Sequence, residues 1–154
     1  YNMLNRWIER DGLKDTLKDL GVGSIAYTPL AQGMLTQKYL SGIPDSSRAA
    51  QEKSLDAAVL SETALHNIRQ LNEIAKNRGQ TLAQMAIAWV LRNGGITTAL
   101  IGASRPEQII DCVGAIDNLT FTAEDLQKID QYAIEQAINL WAVSSETSEG
   151  GAPR

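Results

Sequence analysis

The sequence has 154 residues, a length at which a single domain can bury a core. Its net charge is −4, from 14 lysines and arginines against 18 aspartates and glutamates. No basic run is present, which argues against nucleic acid as a partner. The single cysteine excludes an internal disulfide framework. No apolar segment approaches the ~20 residues of a membrane-spanning helix. We therefore expect a soluble, cytoplasmic domain, or a piece of one, without membrane contact.

The first half of the chain predicts a helix, a strand and a long loop. Within residues 12–23, three leucines at spacings of four and three indicate a short helix, which Gly21 ends. The apolar run 24–27 then predicts a buried strand, and Pro29 stops it. Residues 36–60 show no sustained periodicity, so we expect a long loop there. Long loops inside compact domains are commonly functional.

The second half alternates helices with one more strand. "SETALHNIRQLNEIAKNRG" (61–79) predicts a helix that Ser61 caps, and "TLAQMAIAWVLRNGG" (81–95) predicts a second helix with a broad apolar face. After these we expect a strand in "TTALIG" (97–102), a helix in "PEQIIDCVGAI" (106–116) and a last helix in "TAEDLQKIDQYAIEQ" (122–136). In the last helix, Thr122 and Asp125 have the spacing of a capping box. We expect the polar tail 142–154 to be flexible.

This pattern predicts an α/β fold that is incomplete. Both strands are short, continuous and apolar, as parallel strands covered on both faces are. Two such strands with about five helices do not close any sheet architecture. The chain also begins Tyr1-Asn2-Met3 rather than with methionine. Processing and truncation both explain that start, and we expect truncation.

Residues 97–112 have the pattern of an anion site. A strand that leads through a glycine turn into a helix presents unpaired N–H groups and the positive end of the helix dipole. Ser104 is the predicted cap, with Glu107 three residues on, and Arg105 can hold a phosphate through two hydrogen bonds. The helix face next to that anion carries Gln108, Asp111 and Cys112. A capping box with a solvated arginine is the alternative, and both interpretations stay open on local pattern.

Residues 27–49 form a second candidate segment. Tyr27 offers a ring for stacking, and the small residues of 28–33 allow a ligand close to the backbone. Two cations and a hydroxyl follow within one loop: Lys38, Ser46 and Arg48. A purely structural interpretation is equally open, with the tyrosine in the core, a proline that ends the strand, and cations in water.

Taken together, the two segments and the start "YNMLNR" resemble the C-terminal half of an aldo-keto reductase. The branch is the one that includes potassium-channel β-subunits and bacterial glyceraldehyde-3-phosphate reductases. The motifs that carry the resemblance are "TPLAQGML", "KYL" and "IGASRPEQI". It covers about residues 1–141 and implies part of a TIM (β/α)8 barrel, with the seventh and eighth strands ending at Tyr27 and Ile101. The loops after those strands commonly hold a phosphate in such barrels.

The resemblance also implies an NADPH site. Tyr27 would stack on the nicotinamide, and the pyrophosphate would be lined by Thr28, Pro29, Leu30, Ala31 and Gln32. Lys38, Ser46 and Arg48 would lie in the loop over the cofactor. The 2′-phosphate and adenosine would be surrounded by Gly102, Ser104, Arg105 and Gln108, with Asp111 and Cys112 against the adenine. Serine and arginine at the helix start favour NADPH over NADH, because the 2′-phosphate, which NADH lacks, can form two hydrogen bonds with an arginine. Asparagine is usual in the family where Cys112 stands, and a thiol is a weaker hydrogen-bonding partner.

The resemblance implies hydride transfer to a small aldehyde or ketone, with a catalytic Tyr assisted by Lys, Asp and His on earlier strands. We therefore expect no catalytic residue in these 154, and we assign no metal ligands. His66, the only histidine, lies in a predicted outer helix. Trp141 either forms one wall of the substrate site or only packs a helix end.

Three hypotheses follow. The chain is the cofactor-binding half of a reductase, inactive until the missing N-terminal half is supplied; or an NADPH-sensing module; or a truncated fragment without a role. An upstream coding segment that carries the Asp, Tyr, Lys and His would support the first. A stable product that binds NADPH would support the second, and an aggregated product the third.

Overall fold

The computed structural model describes residues 1–44 and 57–135, and within them the chain is α/β. The N-terminal part holds helices α1 (Trp7–Arg10) and α2 (Leu13–Asp19), followed by strand β1 (Ile25–Tyr27). The remaining elements are α3 (Glu62–Asn77), α4 (Leu82–Leu91), β2 (Thr98–Leu100), α5 (Pro106–Val113) and α6 (Ala123–Tyr132). The predictions for Trp141 and the tail 142–154 lie outside the described residues.

The two strands pair in parallel, as predicted. Ile25 pairs with Thr98 and Tyr27 with Leu100. The prediction of buried strands holds for only one face of the pair in this structure. Ala26 is 4% exposed, whereas Ile25, Tyr27 and Leu100 are 69%, 59% and 52% exposed. Successive side chains of a strand point to opposite faces, and among the described residues the helices, including α4 against β2, cover one face.

The core is built around α4. The apolar face predicted for this helix is confirmed, because its members are all buried: Leu82, Met85, Ala86, Trp89 and Val90. The apolar residues that recur along one face of α3 are buried as well: Leu65, Ile68, Leu71, Ile74 and Ala75. Met3, Leu35 and Ile129 complete the same cluster from the N-terminal segment, the loop after β1 and α6.

Trp89 joins the N-terminal segment to α4. Its ring is fully buried and contacts two guanidinium groups, with Arg92 Cζ 3.6 Å and Arg6 Cζ 4.6 Å from the ring centroid. The ring of Tyr1 packs at a centroid distance of 5.3 Å. Stacked cations and a tilted aromatic pair are both favourable contacts. The segment before α1 is therefore anchored to the central helix.

Helix caps follow the sequence in most places. Thr122 Oγ1 accepts from Asp125 N and Asp125 Oδ2 accepts from Thr122 N, each at 3.0 Å, so the predicted capping box of α6 is confirmed. Ser61 Oγ accepts from Ala64 N at the start of α3, as expected. Helix α2 forms as predicted, but its apolar stripe is not buried, and Leu20 is 71% exposed.

Across residues 1–44 and 57–135, no helix combines the length and apolar character that crossing a bilayer requires.

Candidate functional site

A cleft of about 1280 Å³ opens where the two parallel strands end. Ligands of α/β proteins commonly bind at the carboxyl ends of parallel strands, and a cleft of this volume exceeds the usual size of a small-molecule pocket. Its lining brings together twelve of the predicted residues: Tyr27, Thr28, Pro29, Leu30, Gln32, Lys38, Gly102, Ser104, Arg105, Gln108, Asp111 and Cys112. Ala31 is fully buried and does not line the cleft, and Ser46 and Arg48 lie outside the described residues.

The loop after β1 has unusual backbone geometry. Thr28, Ala31 and Gln32 have φ values of 53°, 48° and 57°, in the left-handed region that residues other than glycine seldom adopt. Tight hydrogen bonds maintain this conformation, from Ala31 N to Thr28 O and from Gly33 N to Leu30 O, each at 2.9 Å. Such strained residues concentrate at ligand-binding loops. The loop therefore has a defined shape beside the cleft.

Asn2 supports this loop from the N-terminal segment. The residue is 2% exposed, and its side-chain Nδ2 donates to Thr28 O at 3.0 Å while Leu4 N donates to its Oδ1 at 2.8 Å. The backbone nitrogen of Tyr1 donates to Tyr27 O at 3.1 Å. The segment "YNMLNR" contributes to the resemblance, but no local pattern in it indicates this role of Asn2.

Lys38 lies in a short 3₁₀ helix at the edge of the cleft. Thr36 Oγ1 accepts from Lys38 N at 3.2 Å and donates to Gly33 O at 2.7 Å. Arg69, on α3, donates through Nε to Leu40 O at 3.0 Å. The turn that carries Lys38 is thus held by the loop after β1 on one side and, through Leu40, by α3 on the other, and the lysine lines the cleft.

The start of α5 corrects one prediction. Arg105, not Ser104, is the N-cap residue, and the side chain that closes the turn is Gln108, not Glu107. Gln108 Oε1 accepts from Ser104 N at 2.8 Å and from Arg105 N at 3.2 Å. The reason is Pro106: proline is favoured at the first helical position, and it restricts the residue before it to extended backbone, here φ −144° and ψ 145°. The helix therefore begins one residue later.

This turn defines what α5 offers to a ligand. Ser104 and Arg105 are exposed at the cleft, at the positive end of an eight-residue helix. The side-chain oxygen of Gln108 is used within the turn. The Ser104 hydroxyl donates to the same oxygen at 3.2 Å. An anion at this end would meet the Arg105 guanidinium and the helix dipole, and it would compete with Gln108 for the hydroxyl proton.

Asp111 is bound by residues of α4. Thr81 Oγ1 lies 3.1 Å from Asp111 Oδ1 and 3.2 Å from Oδ2, and Gln84 Nε2 donates to the Asp111 main-chain oxygen at 3.0 Å. Thr81 and Gln84 also form the capping box of α4. Thr81 and Gln84 are three residues apart, the same spacing as Thr122 and Asp125, and this spacing is the sequence signal that indicates a capping box here. Thr81 also lines the cleft, which no sequence motif indicates.

Cys112 lies on the buried side of α5. It is 8% exposed and belongs to a small apolar cluster with Ile87 and Ala115. Burial raises the pKa of the Cys112 thiol, and the negative charge of Asp111 raises it further. The thiol is therefore neutral at physiological pH and offers only a weak S–H donor to the cleft.

His66 is exposed on α3 and does not line the cleft. Among residues 1–44 and 57–135, no group of three or more His, Cys, Asp or Glu is arranged to hold a metal ion.

The chain is similar to known proteins over most of its length. The sequence profile of the Aldo/keto reductase family matches residues 1–134. L-glyceraldehyde 3-phosphate reductases of Escherichia coli O157:H7 and of strain K12 are each 50% identical over 150 residues, which is 95% of this chain and 43% of each relative. A putative voltage-gated potassium channel subunit beta of Schizosaccharomyces pombe is 38% identical over 136 residues, 85% of this chain and 40% of that protein.

A solved structure shares the fold. The thermostable aldo-keto reductase Tm1743, crystallised with the inhibitor epalrestat, superposes with a TM-score of 0.55 at 27% identity, over 86% of this chain and 37% of that one. This chain thus spans less than half the length of the curated relatives it matches. The family match over residues 1–134 and the identity to the two reductases agree, and the chain belongs to the aldo/keto reductase family.

Proposed function

We propose that the chain is the cofactor-binding, C-terminal part of an NADPH-dependent aldo-keto reductase, a (β/α)8 barrel enzyme that reduces a small aldehyde or ketone to the alcohol. The observation that carries this proposal is the start of α5, which presents Ser104 and Arg105 to a cleft at the ends of two parallel strands. A cytoplasmic location belongs to the same proposal, because a single cysteine suits a reducing compartment.

The cations and the polar residues of the cleft support NADPH as the cofactor. When bound, NADPH supplies the hydride that reduces the carbonyl. Arg105, Ser104 and the N–H groups at the start of α5 would bind the 2′-phosphate, where charge-assisted hydrogen bonds contribute about 1.5–3 kcal/mol each. The strained loop 28–32 would bring backbone groups to the pyrophosphate, and Lys38 would supply a second cation. The exposed ring of Tyr27 would pack on the nicotinamide.

We assign the catalytic Tyr, Lys, Asp and His expected from the family to residues outside these 154. The support is that the chain spans 43% of its bacterial relatives and that one face of the strand pair is exposed, with Ile25, Tyr27 and Leu100 on it. In a complete barrel that face would point to a packed interior. The missing N-terminal half of the barrel is thus the partner we propose, and the chain alone would be inactive as a reductase.

A regulatory module is the second candidate. The observation in its favour is the 38% identity to a protein named as a putative potassium channel subunit beta. Under this alternative, the chain would bind NADPH without reducing a carbonyl, even when the rest of the barrel is present. A truncated fragment without a role is the third, and it predicts that the chain does not bind NADPH.

The test is a reconstitution. The part of the Escherichia coli reductase that precedes its match would be joined to this chain, and the oxidation of NADPH followed with L-glyceraldehyde 3-phosphate, the aldehyde in that relative's name. We expect reduction by the fusion and none by the chain alone. A fusion that binds NADPH without turnover would favour the regulatory module. Turnover by the chain alone would contradict our assignment of the catalytic groups.

A further inference from the structure

The carboxylate of Asp111 is held from outside its own helix. Its two oxygens lie 3.1 Å and 3.2 Å from Thr81 Oγ1, although the two residues are 30 positions apart in the chain. Gln84 Nε2 binds the main-chain oxygen of Asp111 at 3.0 Å. The start of α4 therefore fixes both the backbone and the side chain of this aspartate.

The helix cap sets the direction of the Thr81 O–H bond. Gln84 N donates to Thr81 Oγ1 at 3.1 Å and occupies a lone pair of that oxygen. A hydroxyl has a single proton to donate, so the proton is directed to Asp111. An ionised carboxylate has acceptor sites for about four hydrogen bonds. Thr81 takes part of this capacity, and the remainder is available to a donor in the cleft, which both residues line.

We propose that Thr81 is a positioning residue that directs the Asp111 carboxylate at the exocyclic amino group of an adenine base in the cleft. This inference rests on the proposed function, since it requires the adenosine end of NADPH beside α5. A fixed carboxylate accepts a hydrogen bond from the amino group of adenine. Hypoxanthine has a carbonyl oxygen at that position, and two acceptors repel each other. The site therefore selects adenine over hypoxanthine, and the selection depends on Thr81.

Base selection can be measured on the full 154-residue chain with two nucleotides that lack the nicotinamide. Adenosine 2′,5′-bisphosphate and inosine 2′,5′-bisphosphate carry the same ribose and phosphates and differ in the base. By titration calorimetry, we expect the wild-type chain to bind the adenosine compound at least about tenfold more tightly, as the loss of one charge-assisted hydrogen bond implies. Thr81→Val keeps the shape of the side chain without the hydroxyl, so the ratio should fall towards one. Thr81→Ser restores the hydroxyl and should restore the ratio.

A matched control separates positioning from helix capping, because Thr81 also caps α4. Thr122 has the same capping box with Asp125 at the start of α6 and does not line the cleft. Thr122→Val loses an equivalent cap, so we expect a comparable fall in Tm with the wild-type base ratio. The ratio of two affinities measured on one variant is not changed by a loss of folded protein.

The outcomes separate this inference from the proposed function. A Thr81→Val variant that keeps the wild-type ratio, or a Thr81→Ser variant that does not restore it, would overturn the positioning role. Equal binding of both nucleotides by the wild-type chain would overturn it too and leave the proposed function standing. If the wild-type chain binds neither nucleotide, the proposed function fails, and the inference fails with it.

Discussion

The side-chain amide of Asn2 donates to the carbonyl of Thr28 at 3.0 Å and so ties the N-terminal segment to the strained loop of the cleft. The same side chain accepts from Leu4 N, and the residue is almost fully buried. A buried amide with both ends bonded fixes the two segments it joins, because either broken bond would leave a polar group unsatisfied. The geometry of the loop therefore depends on a residue 26 positions away.

Asn2→Asp tests this connection with little change in shape. The aspartate can still accept from Leu4 N, but it has no donor for Thr28 O and places a carboxylate beside that carbonyl. We expect the free energy of unfolding to fall by about 1–3 kcal/mol and NADPH affinity to fall with it. Urea denaturation and NADPH titration measure the two effects. Asn67→Asp, on α3, adds the same charge elsewhere and should change neither much. Wild-type stability in Asn2→Asp would show that the loop does not depend on Asn2.

Arg105→Ala tests the assignment of the 2′-phosphate. Loss of a charge-assisted contact should raise the Kd for NADPH at least about tenfold, and the Kd for NADH should change little. Fluorescence titration with both cofactors measures this. Arg10, an exposed arginine on α1 that does not line the cleft, provides the control, since Arg10→Ala removes the same charge. If Arg105→Ala weakens both cofactors equally, the guanidinium does not bind the 2′-phosphate.

Cys112→Asn introduces the residue that the resemblance leads us to expect at this position. If the side chain at this position faces the adenine, an amide there should tighten NADPH binding by about 0.5–1.5 kcal/mol, the value of one hydrogen bond. Cys112→Ser is the size-matched control and should give a smaller gain. Isothermal titration measures all three proteins. Unchanged or weaker binding by the asparagine variant would mean that the position serves the packing against Ile87 and Ala115.

Glu9 gives the stability of the chain a pH dependence. Burial disfavours its charged form, but the hydrogen bond from the Tyr1 hydroxyl and the charge of Arg92, whose Nη2 lies 2.7 Å away, outweigh this and lower the pKa of Glu9 below its ordinary 4.5. A carboxyl whose pKa is lower in the folded state stabilises the fold fully above the unfolded pKa. That contribution is lost as the pH falls through the folded pKa.

Glu9→Gln should therefore destabilise the chain at neutral pH by about 1–2 kcal/mol, and the difference from wild type should shrink once the pH falls below 4.5. Urea denaturation over a series of pH values measures it. Glu124→Gln removes the carboxylate from an exposed pair with Lys128 and should destabilise the chain much less than Glu9→Gln does, because exposed ion pairs contribute little. A Glu9→Gln difference that is constant from neutral to acid pH would exclude the linkage.

Local pattern predicted the helices well and the surroundings of the strands poorly. The apolar residues of α3 and α4 recur with helical period, and such a stripe is buried wherever the helix packs. The burial of Ile25 and Leu100 depends instead on what covers the second face of the strand pair, which their own sequence does not encode. Where α5 begins depends on Pro106, whose effect on the preceding residue competes with the preference for serine at a cap.

Two features of the site could not be read from the sequence. The left-handed residues after β1 are Thr28, Ala31 and Gln32, types that give no signal for positive φ, since glycine is the usual residue there. The bond between Thr81 and Asp111 joins residues far apart in the chain. The predicted anion site at the start of α5, in contrast, is a local pattern, and its residues line the cleft as expected.

The most direct test of the account is the affinity of the purified chain for NADPH compared with NADH. The two cofactors differ only in the 2′-phosphate, the group that Ser104, Arg105 and the start of α5 are proposed to bind. We predict that NADPH binds at least about tenfold more tightly, and that adenosine 2′,5′-bisphosphate competes with it. Equal affinity for the two cofactors, or no binding of NADPH by the folded chain, would contradict the central claim.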